Sequence, residues 1–184
     1  MARVLTAILV LLLLCGDAAF ADDAAAPKGM VLLTVGGKIG NANRGPLDPQ
    51  KDSLLAIQKV KFEHAFAFDR DMLLGLKQGT VTAETRELGT ATFKGPLLSE
   101  VLGKIEAAKL KLTFVAVNGY TGWLMPEDVD RSDFILALEA NGKPLGLGQQ
   151  GPVWLINTRA KGEKASEDHR GHWVWSLFYI HVGE

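Results

Sequence analysis

Cysteine is almost missing from this chain: Cys15 stands alone among 184 residues. It closes an apolar run from Val4 that only Thr6 interrupts. Arg3 before that run and Ala19-Phe20-Ala21 after it give the pattern of a cleaved secretory leader. We therefore expect residues 1–21 to be a signal peptide, with Asp22 opening the mature chain. Lipidation of Cys15 is the competing reading, and it meets Leu14 where that motif wants a small residue. Removal of the leader takes the only thiol with it. A disulfide, a thiolate metal ligand and a cysteine nucleophile are then all excluded. Export without disulfides fits a periplasmic location. Long apolar runs are missing as well. The leader run falls short of the ~20 residues that span a bilayer, and no later run approaches it, so no membrane insertion is expected after cleavage. Charge of one sign is not in surplus either, with 20 Lys and Arg against 21 Asp and Glu. Nothing there calls for nucleic acid or an anionic membrane surface. Gly-x-Ser-x-Gly and Walker patterns do not occur, which removes the serine-hydrolase elbow and the phosphate-cradling loop.

What is present is a series of short β-type runs with few helical ones. Residues 22–29, rich in Ala, read as a flexible leader before a single domain over 30–184. Val31 to Val35 is a strand stopped by Gly36-Gly37. Asn41 to Ser53 carries turn formers and reads as a surface loop. Phe62, His64, Phe66 and Phe68 alternate with smaller or polar residues, the mark of a half-buried strand. Asp69 or Asp71 caps a short helix through Lys77, closed by Gly79. Thr80 to Thr85 is a strand. Gly95-Pro96 opens the clearest helix, with Leu97, Leu98, Val101, Leu102 and Ile105 on one face. Phe114 to Val117 is a strand leading into the loop Asn118 to Trp123. Pro126 starts a short helix, Phe134 to Leu138 is a strand, and Asn141-Gly142 is a hairpin turn. Pro152 to Ile156 and Trp173 to Val182 are the last strands. Strands outnumber helices without regular alternation, so the expected class is α+β with mixed β-sheets and a few short helices.

Few residues carry chemistry. Asp168, His169 and His172 have metal-ligand composition, but a structural zinc site needs four ligands at recognisable spacing, and a solvated loop is the reading here. Gly146-Leu147-Gly148-Gln149-Gln150-Gly151 matches the dinucleotide pattern in letters. It leads through Pro152 into a strand, where the motif requires a helix N-terminus, so it reads as a bend. Trp154, Trp173 and Trp175 sit in strands as packing aromatics, the last two on one strand face. Trp123 stands apart in a Gly-rich loop beside Asn118 and Tyr120, an aromatic and amide group of the kind that lines binding sites.

A longer pattern runs from Thr80 to Val182. Its pieces are Thr80-Val81-Thr82, Phe93 to Leu102, Val115 to Tyr120, and Leu124-Met125-Pro126 with Asp128. They continue with Ile135-Leu136-Ala137 and Asn141 to Leu145, Gly151-Pro152-Val153, and Trp173-Val174-Trp175 with Ile180. In this order they resemble the oxidoreductase molybdopterin-binding domain of the sulfite oxidase family, small exported single-domain members above all. Val35 to Ile39 is similar to that family's opening hairpin. The resemblance implies an α+β fold of mixed sheets with a pocket at the loop ends. Active members hold molybdenum through a cysteine thiolate just after the strand that Thr80-Val81-Thr82 resembles. The matching position here is Thr85 or a neighbour, and a hydroxyl is too hard and too weakly acidic to replace a thiolate. Only residues 86–92 separate it from Phe93, little chain to wrap a pterin. Where active members carry an arginine for the cofactor phosphate, this chain has Val153 and Trp154.

The resulting expectation is a non-catalytic periplasmic domain that binds a small molecule or a protein partner, with no cofactor. Molybdopterin enters by resemblance alone. The expected site comprises Thr85 and Arg86 on the former metal side, with Asn118, Tyr120 and Trp123 on the loop. Two alternatives remain: a molybdopterin-dependent oxidoreductase with atypical metal ligation, and an interaction subunit of a membrane or electron-transfer complex.

Overall fold

A computed structural model describes residues 25–131, 133–158 and 173–184. The leader over residues 1–21 and the Asp168, His169 and His172 group lie outside the described residues. Strand β1 (Val31–Gly37) pairs antiparallel with β2 (Ala65–Asp69) and parallel with the final strand, β11 (Leu177–Val182). Strands β5 (Leu112–Ala116) and β6 (Thr121–Leu124) complete a five-stranded sheet in the order β2-β1-β11-β5-β6. A four-stranded sheet joins β3 (Gln78–Thr85), β4 (Gly89–Pro96), β8 (Glu139–Ala140) and β9 (Lys143–Pro144). The third sheet is the antiparallel pair β7 (Asp133–Ala137) and β10 (Trp154–Thr158). Among the described residues four short helices accompany them: α1 (Ser53–Ile57), α2 (Arg70–Leu74), α3 (Leu98–Lys104) and α4 (Pro126–Arg131). The class is α+β with mixed sheets. Among the described residues, no helix is long and apolar enough to cross a membrane.

Local chemistry accounts for most of these elements. Asp69 caps α2, its Oδ1 accepting the Met72 N–H at 2.9 Å. The helix is shorter than the sequence suggests: it ends at Leu74 with Gly75 as its C-cap, and Gly79 belongs to β3. Helix α3 starts at Leu98 because Pro96 is still the last residue of β4. Leu98, Val101 and Ile105 are fully buried, and Leu102 packs at the core's edge. Asn141 and Gly142 take φ of 50° and 73°, the positive pair a two-residue hairpin needs. At Gly37 a Cβ would sit 2.2 Å from the Val182 carbonyl oxygen, so only glycine lets β1 and β11 close there.

Three further sequence expectations require correction. β2 is not half-buried. Phe66 and Phe68 enter the main core, while Asn43 and Arg44 cover the strand's outer edge. There the Asn43 amide accepts the Ala67 N–H at 2.7 Å and donates to the Ala67 carbonyl at 2.9 Å. Trp123 lies in β6 opposite Thr113 and not in a loop. Trp173 to Val182 is interrupted by a turn at Trp175-Ser176, where Ser176 has φ of 51°. The two tryptophans therefore do not share a strand face: Trp173 is 7% exposed and Trp175 is 42% exposed.

Candidate functional site

A cavity of about 820 Å³ opens between the start of β1, α1 and the segment 145–152, a size typical of small-molecule sites. Leu32, Leu55 and Phe178 supply apolar wall. Met30 and Leu147 line it while 78% and 73% exposed, and Val31 and Leu54 are exposed beside them. Gly29 and Met30, just before β1, form part of this wall. Asp69 Oδ2 accepts the Lys28 N–H at 2.8 Å and the Gly29 N–H at 2.9 Å, and Asn43 Nδ2 donates to the Ala25 carbonyl at 3.3 Å.

The cavity's charges are largely spoken for. Arg44 pairs with Asp52 and stacks over the Phe62 ring at 5.0 Å. Arg70 pairs with Glu139 at 2.8 Å, and Lys51 with Asp48 at 3.2 Å. The N–H groups of Met72 and Gly29, with that of Lys28, hold the Asp69 carboxyl below its ordinary range against the opposing effect of burial. The Gln50 N–H and Lys51 do the same for Asp48. Tyr179, under the sheet beside Phe62, is pushed up to about 12 by burial.

The residues singled out from sequence lie elsewhere, and none of the five lines this cavity. Thr85 ends β3, and its hydroxyl accepts the Leu88 N–H at 3.0 Å and donates to the Gly89 carbonyl at 3.4 Å. It is spent on closing the β3–β4 hairpin, and Arg86 is exposed on that turn. Asn118 Oδ1 accepts the Tyr120 N–H at 3.0 Å, shaping the β5–β6 turn. Tyr120 and Trp123 are exposed on that hairpin, with the Lys111 ammonium 5.7 Å from the Trp123 ring centre. Thr85 and Arg86 thus belong to one sheet, and the other three to a hairpin of another. The Gly146 to Gly151 bend, read as structural, runs into a strand as expected, yet Gly146 and Leu147 face the cavity. The missed wall residues gave one signal: Leu147 is an apolar side chain between two glycines of a turn.

Among the described residues, no group of three or more His, Cys, Asp or Glu could hold a metal ion. No protein-family model matches the chain, and no curated protein matches it. A search of solved structures finds the sulfane dehydrogenase SoxCD from Paracoccus pantotrophus, at 16% identity and a TM-score of 0.54. The match covers 83% of this chain and 38% of that one, so the chain spans well under half the length of its neighbour. At this identity the likeness is one of fold alone: the chain is similar in fold to part of that dehydrogenase.

Proposed function

We propose that the protein is a non-catalytic, exported binding module that seats a small molecule in the cavity bordered by Met30, Leu54 and Leu147. The observation that carries this reading is the cavity itself: apolar wall, exposed apolar mouth and cations already paired. Exposed apolar side chains gathered at a concavity mark a binding surface more often than a bare surface does.

The residues present do not fit a molybdopterin. The Thr85 hydroxyl is engaged in its own hairpin, and a hard oxygen would in any case be a poor substitute for a thiolate. The Arg44 and Arg70 guanidinium groups beside the cavity are bound to carboxylates and would have to give these up to meet a phosphate.

Titration with Nile red, a neutral apolar dye, tests the reading. Saturable binding at one site is expected, weakened at least tenfold by Leu147→Lys with the fold intact by circular dichroism. Linear, unsaturable fluorescence, or equal binding by the variant, would move the site elsewhere. Elemental analysis of protein from its native host should find no stoichiometric molybdenum, and its presence would restore the oxidoreductase reading. A second reading, a protein partner held by the exposed Tyr120 and Trp123, predicts that Tyr120→Ala with Trp123→Ala leaves dye binding unchanged and abolishes complex formation.

A further inference from the structure

We infer that the ligand is an amphipathic cation, an apolar body carrying an amine, and not an anion; this rests on the binding-module reading above. The inference follows from where the charges around the cavity go. Its three described cations each have a carboxylate of their own: Arg44 has Asp52, Arg70 has Glu139 and Lys51 has Asp48. Arg44 is further fixed by the Phe62 ring beneath it, so it cannot swing out to meet a new anion without losing both contacts. Two carboxylates of the wall remain without a cation among the described residues, Asp69 and Asp71. Asp69 is occupied by three backbone N–H groups that reach it from both sides. Asp71 is exposed and stands next to Arg70 at the start of α2, where its carboxylate can accept an incoming ammonium.

An anionic head placed here would meet uncompensated negative charge and would compete with Asp52 or Glu139 for a guanidinium already paired, the exposed Lys51 ammonium offering only a weak, screened contact. An ammonium needs no such exchange. Its attraction to Asp71 is modest, because the carboxylate is open to water and screened by salt. The apolar wall therefore supplies most of the affinity and Asp71 the choice among charges. The chemical class that satisfies both is an alkyl or aryl amine whose apolar part lies against Leu32, Leu55 and Phe178.

Three ligands of one chain length separate the terms: decylamine, decanol and decanoate, each displacing Nile red at neutral pH and low salt. Decylamine is expected to displace the dye at about three- to fivefold lower concentration than decanol, with decanoate weaker than both. Asp71→Asn should bring the amine to within about twofold of the alcohol and leave the alcohol unchanged. Raised salt should do the same. Equal displacement by all three, or a preference for decanoate, overturns the charge assignment and leaves the binding module standing. Failure of dye and decanol to bind at all overturns both. A decylamine advantage that survives Asp71→Asn also overturns the assignment, because the selecting charge would then lie elsewhere.

Discussion

The β3–β4 hairpin and the cavity wall are built by opposite means. In the hairpin, every pairing from Gln78 with Pro96 to Thr85 with Gly89 joins residues close along the chain, and Thr85 closes the turn with its own side chain. The wall gathers segments around Gly29, Arg44, Asp52, Asp69 and Leu147 that the sequence scatters. Its most connected member, Asp69, bonds to Lys28 across 41 positions. A structure held by near neighbours absorbs a lost contact locally. One held by distant segments loses its shape when a single joint slips.

The largest effect is expected in the core that backs both regions. Leu98→Ala should lower stability by about 2–5 kcal/mol, because Leu98 is fully enclosed. Leu102→Ala, only partly buried, should cost under about 2 kcal/mol. Equal urea midpoints for the two variants would contradict this placement of α3. Gly151→Ala comes next. Its Cβ would lie 2.4 Å from the Leu145 carbonyl oxygen, so the 145–152 segment must shift. We expect about 1–3 kcal/mol of destabilisation together with loss of dye binding. A variant that binds dye normally would mean the wall tolerates slippage. Thr85→Ala, on the hairpin side, should cost about 1–2 kcal/mol for the two hydrogen bonds its hydroxyl makes and leave dye binding untouched.

The smallest effect at neutral pH belongs to Tyr179→Phe, whose consequence emerges in alkali. Burial raises the folded-state value from 10.0 to about 12. The contribution of the protonated phenol is therefore complete below pH 10 and is lost as pH climbs toward 12. Wild-type urea midpoints should fall through that window more steeply than those of the phenylalanine variant. Superimposable curves would show that Tyr179 does not govern the decline.

The same contrast explains what could be read from the chain beforehand. The Asp69 cap, the Asn141-Gly142 turn and the apolar face of α3 are signals spanning a few residues, and each names its own structure. β2 deceived because its alternation measures one face only, while the cover on its outer edge comes from Asn43, 24 positions before its partner Ala67. Trp175 deceived because Ser176 adopts a positive φ that nothing in its side chain demands. The candidate site was harder still. Asn118, Tyr120 and Trp123 are each exposed, but Trp123 stands in β6 and not in the loop where the sequence placed it. The cavity could not be located in the same way, because its residues are ordinary in type and acquire meaning only when brought together.

Asn43 has one more consequence. Its carboxamide presents one donor and one acceptor to Ala67, as a neighbouring strand's peptide group would. With the backbone bridge between Arg44 and Ala65, this side chain covers the outer edge of β2 at Ala65 and Ala67. The opposite margin of the sheet is β6. A sheet with one closed margin can be extended in one direction only. Two copies meeting through β6 would cap each other and stop at a pair, whereas a sheet open on both sides could propagate without limit. Asn43→Ala would uncover the Ala67 N–H and carbonyl on that margin while the Arg44 bridge to Ala65 stays.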